Sequence, residues 1–400
     1  WTEGRNLEAF MDLAAEGRLD LASLTSHRFS IDDGESAYQL ISGESKEPYL
    51  GIVLTYGTER AVETKVTLQL AKRTGAAPAV RMGMIGAGGY AKSMLLPHFK
   101  TNGVEFRSIA TSSGVSARDT GERFGFQSCA AGADEVINDG ETNLIVIATR
   151  HDSHADYAKR ALAGNKHVFV EKPLAMNDDE LDELLAMAAD APGRLMCGFN
   201  RRFSPMALAA REFFKDLQTP LSIQYRINSG RISRESWIQD PIQGGGRIIG
   251  EGCHFIDLMH YLTGSVTTRV FAEGIASRNH EVIAEDSVFI NLRFADGSNG
   301  SIAYLAEGDK AFPKERVEIY GGGRVFVIDD FRQSTAYKNG RETVTKLRNQ
   351  DKGQANEVRA VCEMVRTGGD SPIALADLTA TTRATFRIRE SLRTGLPVEV

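Results

Sequence analysis

At 400 residues, with 42% hydrophobic and 25% charged positions, the chain has the composition of a soluble globular protein and is too long for one core, so two or three domains are expected. Its net charge of −6, without any Lys/Arg block, gives no electrostatic footprint for nucleic acid, and no apolar run approaches the ~20 residues that span a bilayer. Four cysteines, Cys129, Cys197, Cys253 and Cys362, lie far apart with no CxxC pair, which argues against structural zinc and a disulfide framework and suits a reducing cytoplasm.

Residues 1–57 read as a small unit of their own. Leu7, Phe10, Met11 and Ala14 have helical spacing, with Gly17 as the stop. A second helix is expected near 34–42, with Ala37, Leu40 and Ile41 on one face. The runs "YLGIVLTY" and "AVETKVTLQL" read as two strands that pair as a hairpin. So small a piece holds no good core alone and must dock on something. The stretches "WTEGRNLEAFMDLAAEGRLD" and "LASLTSHRFSIDDGESAYQLISGE" resemble the C-terminal end of medium-chain alcohol dehydrogenases, over these residues only. The resemblance implies the remnant tail of such a domain, and a chain that is the C-terminal part of a two-enzyme fusion. The absence of an initiator Met fits a fragment. Residues 58–79 are expected to be linker or hairpin, since "AKRTGAAPAV" is rich in small residues and has no apolar period.

From residue 80 to 200 strands and helices alternate. "VRMGMIGAGGYAKSMLLPHF" reads as strand, glycine turn and helix, and "VEFRSIATSS", "NLIVIAT", "KHVFVEK" and "RLMCGFN" read as further strands. "SHADYAKRALAGN" is a helix with Ser153 as N-cap and Asp156 three later. "NDDELDELLAMAAD" opens on a capping box of Asn177 and Glu180. Such alternation predicts a parallel, doubly wound α/β sheet of the Rossmann type.

From residue 201 to 400 period-two strands dominate. Ile223, Tyr225 and Ile227 share one face of one strand. Val288, Ile290, Leu292 and Phe294 share one face of another. "QSTAYKNGRETVTKL" carries an Asn-Gly hairpin turn. Helices are expected near 253–261, 354–366 and 375–393. The result is an α+β domain on a large, mainly antiparallel sheet with one open face, a surface suited to a homo-oligomer, dimer or tetramer.

The sequence "GMIGAGGYA" places Gly86, Gly88 and Ala91 as G-x-G-x-x-A between a strand and a helix, with Gly89 and Tyr90 inside the turn. Gly86 permits the tight turn, Gly88 lets the backbone approach a pyrophosphate, and the helix start offers free N–H groups. The strand-end position that holds the ribose hydroxyls of NAD falls near Thr111 or Ser112, and no acid stands there. Ser112, Ser113 and Arg118 are candidates for a 2′-phosphate, so NAD(P) is expected with a slight lean to NADP. Loop serines are more often only loop residues.

Three further stretches, "VIATRHDSHADYAKRALAGNKHVFVEKPLA", "GFNRRFSP" and "GGGRIIGEGCHFIDLMHYLTG", resemble in content and order the Gfo/Idh/MocA oxidoreductase family, over residues 80–400. The resemblance implies a Rossmann domain joined to an open-sheet domain, and NAD(P)-linked oxidation or reduction at a carbon of a sugar, nucleotide-sugar or cyclitol. Ligands bind at the carboxyl ends of the strands of a doubly wound sheet, where Thr149, Arg150, His154 and the run Glu171-Lys172-Pro173 fall as cofactor-binding candidates. Lys172 is the first catalytic candidate, because burial or cationic neighbours tune a lysine for proton transfer. In the family this proline bond is often cis. His254 is the second candidate. Asn200, Arg201, Arg202, Glu251 and Asp257 are candidates to bind substrate, with an interdomain salt bridge as the equal alternative for the 200–202 run. The spacing of His151 and His154 suggests a metal, but no third ligand stands out, so no metal is expected. A cofactor-pocket role or helix packing suits them better.

The chain departs from the family pattern twice. Thr149-Arg150 stands where Thr-Pro is common, and Gly250 stands where many members carry an aspartate four residues before the histidine, with Glu251 next to it. Two functions follow. One is an NAD(P)-dependent dehydrogenase or reductase acting on a sugar-like hydroxyl or ketone. The other is a non-catalytic cofactor or sugar sensor on the same fold, which the missing aspartate favours.

Overall fold

The computed structural model describes residues 2–56, 65–68, 79–279 and 282–400. The chain divides into two compact units, Trp1–Glu63 and Thr64–Val400. No helix among the described residues is long and apolar enough to cross a membrane.

The first unit carries helices Glu3–Ala15 and Gly34–Ile41, at the positions their apolar spacing indicates. Its strands Thr25–Ser30 and Gly51–Thr55 pair in parallel, with the second helix as the crossover. Among the described residues here only Ala37 and Leu40 are buried apolar side chains, while Leu7 is 64% and Met11 61% exposed. The hairpin expected between 49–56 and 61–70 does not form. Strand Lys65–Thr67 pairs antiparallel with Ser128–Ala130, at the edge of the larger unit's sheet. The residues between, 57–64, and most of the expected linker, 69–78, lie outside the described residues.

The second unit begins with a seven-stranded sheet. From that edge strand inward its order is Lys65–Thr67, Ser128–Ala130, Glu105–Ala110, Arg81–Ile85, Leu144–Ile147, His167–Val170 and Leu195–Cys197. All neighbours but the first pair are parallel. Apolar runs such as Leu144–Ile147 are buried along their whole length, as a sheet covered on both faces requires. The order reverses between Arg81–Ile85 and Leu144–Ile147, which opens a crevice at their carboxyl ends. Asn177 caps the helix Asp178–Asp190 by accepting from the Glu180 amide, as the capping box predicts. Ser153 does not cap. Its hydroxyl donates to the Arg150 carbonyl and meets the Thr149 hydroxyl instead.

The second sheet has nine strands, all antiparallel neighbours except Ser222–Asn228 against Asn299–Leu305. Alternation assigns its faces: Ile223, Tyr225, Ile227, Ile290 and Leu292 point into a core closed by helix Cys253–Thr263. The Asn-Gly turn forms, with φ of 54° at Asn339 and 68° at Gly340. The 201–400 segment is not one spatial block. Helix Gln354–Thr367 returns to the first sheet, where Val358, Val361 and Cys362 join the Rossmann core. Helix Leu375–Thr394 bridges both cores, with Leu378 in one and Ile388 in the other. This return clamps the two sheets about the site.

Candidate active site

A cavity of about 720 Å³ lies where the carboxyl edge of the parallel sheet faces the second sheet. Two helices open onto it, and both begin on glycine turns and pass through one π-turn. The first runs over 89–101, with the π-turn at Ala91–Leu95. Pro97 has no N–H to give the Ser93 carbonyl, which accounts for the widened turn. Gly86 precedes this helix with φ 82°, and a Cβ there would lie 2.5 Å from the Ala148 carbonyl oxygen. At Gly88 and Gly89 a Cβ would meet nothing within 4 Å. A tight glycine turn, an open backbone cradle and a helix start at the switch point fit a dinucleotide pyrophosphate.

The second helix runs over 246–263, with its π-turn at Ile248–Gly252. Sequence reasoning started it at Cys253. Gly250 and Gly252 weaken the α-ladder locally, and the Gly250 carbonyl accepts a 2.8 Å bond from Lys172 Nζ. That bond ties the first sheet's edge to the second domain. The Lys172–Pro173 bond is cis. The Pro173 carbonyl accepts from His154 Nδ1 at 2.7 Å, so His154, 1% exposed, braces the lysine loop from below.

His254 lines the cavity on the helix that follows Gly252. Burial first, then the cations Arg201, Lys172, Lys314 and Lys352, hold its pKa well below the usual histidine value. The ring is therefore neutral at physiological pH. Its Nδ1 is buried without a partner among the described residues. Glu171, beside Lys172, is also buried. Burial raises its pKa, and its Oε1 has no partner among the described residues.

The remaining predicted residues separate into two groups. Thr149, Asn200, Arg201 and Glu251 line the cavity with Tyr90. Arg201 is spent on Glu315 in a bidentate pair of 2.8 and 2.9 Å, which Lys352 and the Tyr225 hydroxyl complete. Glu251 accepts from Lys314 at 2.7 Å, Tyr304 at 2.5 Å and Arg247 at 3.3 Å. Burial would raise its carboxyl, but Lys314 and Tyr304 bring it down to about 2.

Arg202 and Asp257 do not line the cavity, which corrects the substrate-binding expectation for Asp257, while for Arg202 the ion pair is the alternative expected for the 200–202 run. They form a buried bidentate pair of 3.0 and 2.5 Å that Asp377 extends, so both charges are satisfied by packing. Ser112, Ser113 and Arg118 also lie outside the lining. Ser113 accepts from the Ser116 amide as a helix cap, and Arg118 pairs with Glu122 at 2.8 Å. Arg150 bonds Gln243 and stacks over the Trp237 ring. Among the described residues no cluster of His, Cys, Asp or Glu has a metal-binding arrangement, and all four cysteines are free and buried.

Two family models match the chain: "Oxidoreductase family, NAD-binding Rossmann fold" over residues 80–199 and "GFO/IDH/MocA C-terminal domain" over 216–324. The chain belongs to the Gfo/Idh/MocA oxidoreductase family. Its class is that of NAD(P)-dependent dehydrogenases. An uncharacterized oxidoreductase, YrbE of Bacillus subtilis, is 25% identical over 66% of this chain and 80% of its own length. Myo-inositol 2-dehydrogenase of Thermotoga maritima is 25% identical over 54% of this chain and 66% of its own length. A solved levoglucosan dehydrogenase, in complex with NADH and levoglucosan, superposes with a TM-score of 0.71 at 20% identity, covering 80% of this chain and 99% of that one. The last likeness shows the fold.

Within this Gfo/Idh/MocA frame, sequence reasoning missed Arg247, Lys314, Lys352 and Trp237 as cavity residues. Arg247 had a signal, since it stands in the Gly244–Gly246 run's wake. The two lysines and the tryptophan come from loops without any motif.

Proposed function

We propose that the chain transfers hydride between a nicotinamide cofactor and a secondary hydroxyl or ketone of a sugar, nucleotide-sugar or cyclitol. The observation that carries this is one cavity joining the Gly88–Tyr90 cradle to Lys172 and His254. Relatives whose names give them myo-inositol and levoglucosan as substrates support the substrate class. When bound, the nicotinamide supplies or accepts the hydride. The chain's own groups do the rest. Lys172 Nζ, fixed by the Gly250 carbonyl, takes the hydroxyl proton as the amine on oxidation and returns it as the ammonium on reduction. Neutral His254 hydrogen-bonds the same oxygen and steadies its developing charge. Tyr90 and Trp237 add aromatic surface to the cavity wall.

For the cofactor, the slight lean is to NADP. The support is a strand end at Ala110 followed by Thr111, Ser112 and Ser113, with no carboxylate to hold a ribose diol. The second sheet's open face, which exposes Phe289 and Tyr320, suits a homo-oligomer, and four free cysteines suit the cytoplasm. The N-terminal unit's parallel strand–helix–strand is compatible with the tail of an alcohol-dehydrogenase-like domain. Titration with NADH and NADPH by fluorescence or calorimetry tests the function. Binding of either with micromolar or tighter affinity is expected. Binding of neither would sink the dehydrogenase reading and favour the sensor.

A further inference from the structure

The space beside Lys172 raises a question that the proposed function leaves open. The Gly250 carbonyl holds the lysine, yet position 250 has no side chain. A Cβ built there would lie 2.6 Å from His151 Cε1 and 3.2 Å from its Nδ1. The imidazole of His151 thus fills the volume that any side chain at 250 would need. The ring is pinned from two further directions. Nδ1 sits 2.7 Å from the Gly244 carbonyl, and Trp237 packs edge-on with centroids 4.8 Å apart. A carbonyl only accepts, so Nδ1 carries the proton and donates. Burial first, then the Lys172 ammonium, lowers this ring's pKa to about 3, so it is neutral and Nε2 holds a lone pair. No hydrogen-bond partner of Nε2 stands among the described residues, and His151 lines the cavity.

That lone pair stands among groups that are otherwise spent. Arg201 and Lys352 are committed to Glu315, and Arg247 and Lys314 to Glu251. Four cations share two carboxylates, so the cavity keeps positive charge, but each of these cationic heads is already held in an ion pair. An acceptor held in one tautomer asks instead for a group that donates.

We infer that His151 is a specificity-determining residue: its Nε2 accepts a hydrogen bond from a neutral hydroxyl on the carbon next to the one that reacts. The inference rests on the proposed function and deepens it. The substrate carries a hydroxyl at that carbon, and an analogue bearing only an acceptor there binds poorly. Gly250 is required because the ring needs the space.

The test compares wild type, His151→Phe and His151→Gln in the full chain. The Phe variant keeps a ring and removes the acceptor, and the Gln variant restores an acceptor. The probes are myo-inositol, levoglucosan and their monodeoxy analogues lacking one neighbouring hydroxyl, with NAD⁺ and NADP⁺. The wild type is expected to prefer the intact polyol by roughly ten-fold or more in kcat/KM, the size of one unsatisfied hydrogen bond. His151→Phe should raise KM more than it lowers kcat and bring that preference near unity, with NADH affinity unchanged. His151→Gln should recover part of the preference. A His151→Phe protein that still prefers the intact polyol overturns the inference. If the wild type turns over none of the polyols, the proposed function is judged separately by NADH and NADPH binding. The ¹⁵N resonance of His151 Nε2 in the NADH complex then decides: a shift on adding myo-inositol supports the contact, and no shift overturns it.

Discussion

The two helices that open onto the cavity start alike and serve it differently. Each has two α residues after a glycine turn, then five π residues, then a regular α-helix. The first, over 89–101, presents bare backbone at Gly88 and Gly89. The second, over 246–263, presents side chains, Arg247, Glu251 and His254, and a carbonyl that holds Lys172. A backbone cradle depends on space that nothing may enter. A side-chain site depends on neighbours that fix each group, and here those neighbours come from four separate segments.

The sharpest way to break this comparison is at the buried pair behind the second helix. Arg202→Ala strands Asp257 without its partner in a fully buried position, and should cost roughly 3–5 kcal/mol of stability in a denaturant melt. NADH affinity of the folded fraction should hold. A direct loss of substrate affinity with unchanged stability would return Arg202 to the site. Next come the two glycines. Gly86→Ala meets backbone, the Ala148 carbonyl at 2.5 Å, from a φ of 82°, and should cost roughly 2–5 kcal/mol together with NADH binding. Gly250→Ala meets the His151 ring, 2.6 Å from its Cε1, so the pinned ring must shift, and roughly 1–3 kcal/mol is expected while NADH binding survives. Equal losses from both would erase the distinction between the two helices.

Acid unfolding sharpens the same contrast. His151, His154, His254 and His260 are buried and neutral in the folded state. The unfolded chain protonates them near pH ~6.5, so lowering the pH favours unfolding. Glu171, Glu357 and Asp257 are raised by burial and take protons first in the folded state, which has the opposite sign. The two sets offset each other between roughly pH 6.5 and 4.5. Below that the carboxyls are neutral in both states, while His154 stays uncharged down to about 4 and Glu251 stays ionised down to about 2. The melting temperature should therefore be nearly flat across the first window and fall steeply beneath it. A steady decline from pH 6.5 would mean the carboxyls are paired. The smallest effect is expected at Arg118→Ala. It frees Glu122 at the surface and should change the ratio of NADPH to NADH affinity by a few-fold at most, since Arg118 lies outside the cavity lining.

The first helix was legible because its chemistry is glycine spacing, and spacing survives in one dimension. Strand–helix alternation gave the parallel sheet for the same reason, and period-two alternation the faces of the second sheet. The partners of Arg201 and Arg202 were not legible. Glu315 lies 114 residues from the first and Asp257 55 residues from the second. Both arginines look alike in "FNRRF", yet one lines the cavity and the other is buried behind it. Lys65–Thr67 misled for a different reason. A three-residue strand has no periodicity of its own, so proximity suggested a hairpin where a distant sheet edge supplied the partner. The return of Gln354–Thr367 to the first core was invisible too, because an amphipathic helix does not record which sheet it covers.

The central claim is that Lys172 carries the proton in a reaction whose cofactor is held by the first helix. The most direct measurement follows reduced nicotinamide formation from a polyol with wild type and Lys172→Ala, alongside NADH titration of both. The account predicts that the variant binds NADH as tightly as wild type while its kcat falls by roughly 10²–10⁴-fold, the usual worth of general acid–base catalysis. A Lys172→Ala protein that turns over at the wild-type rate would contradict it.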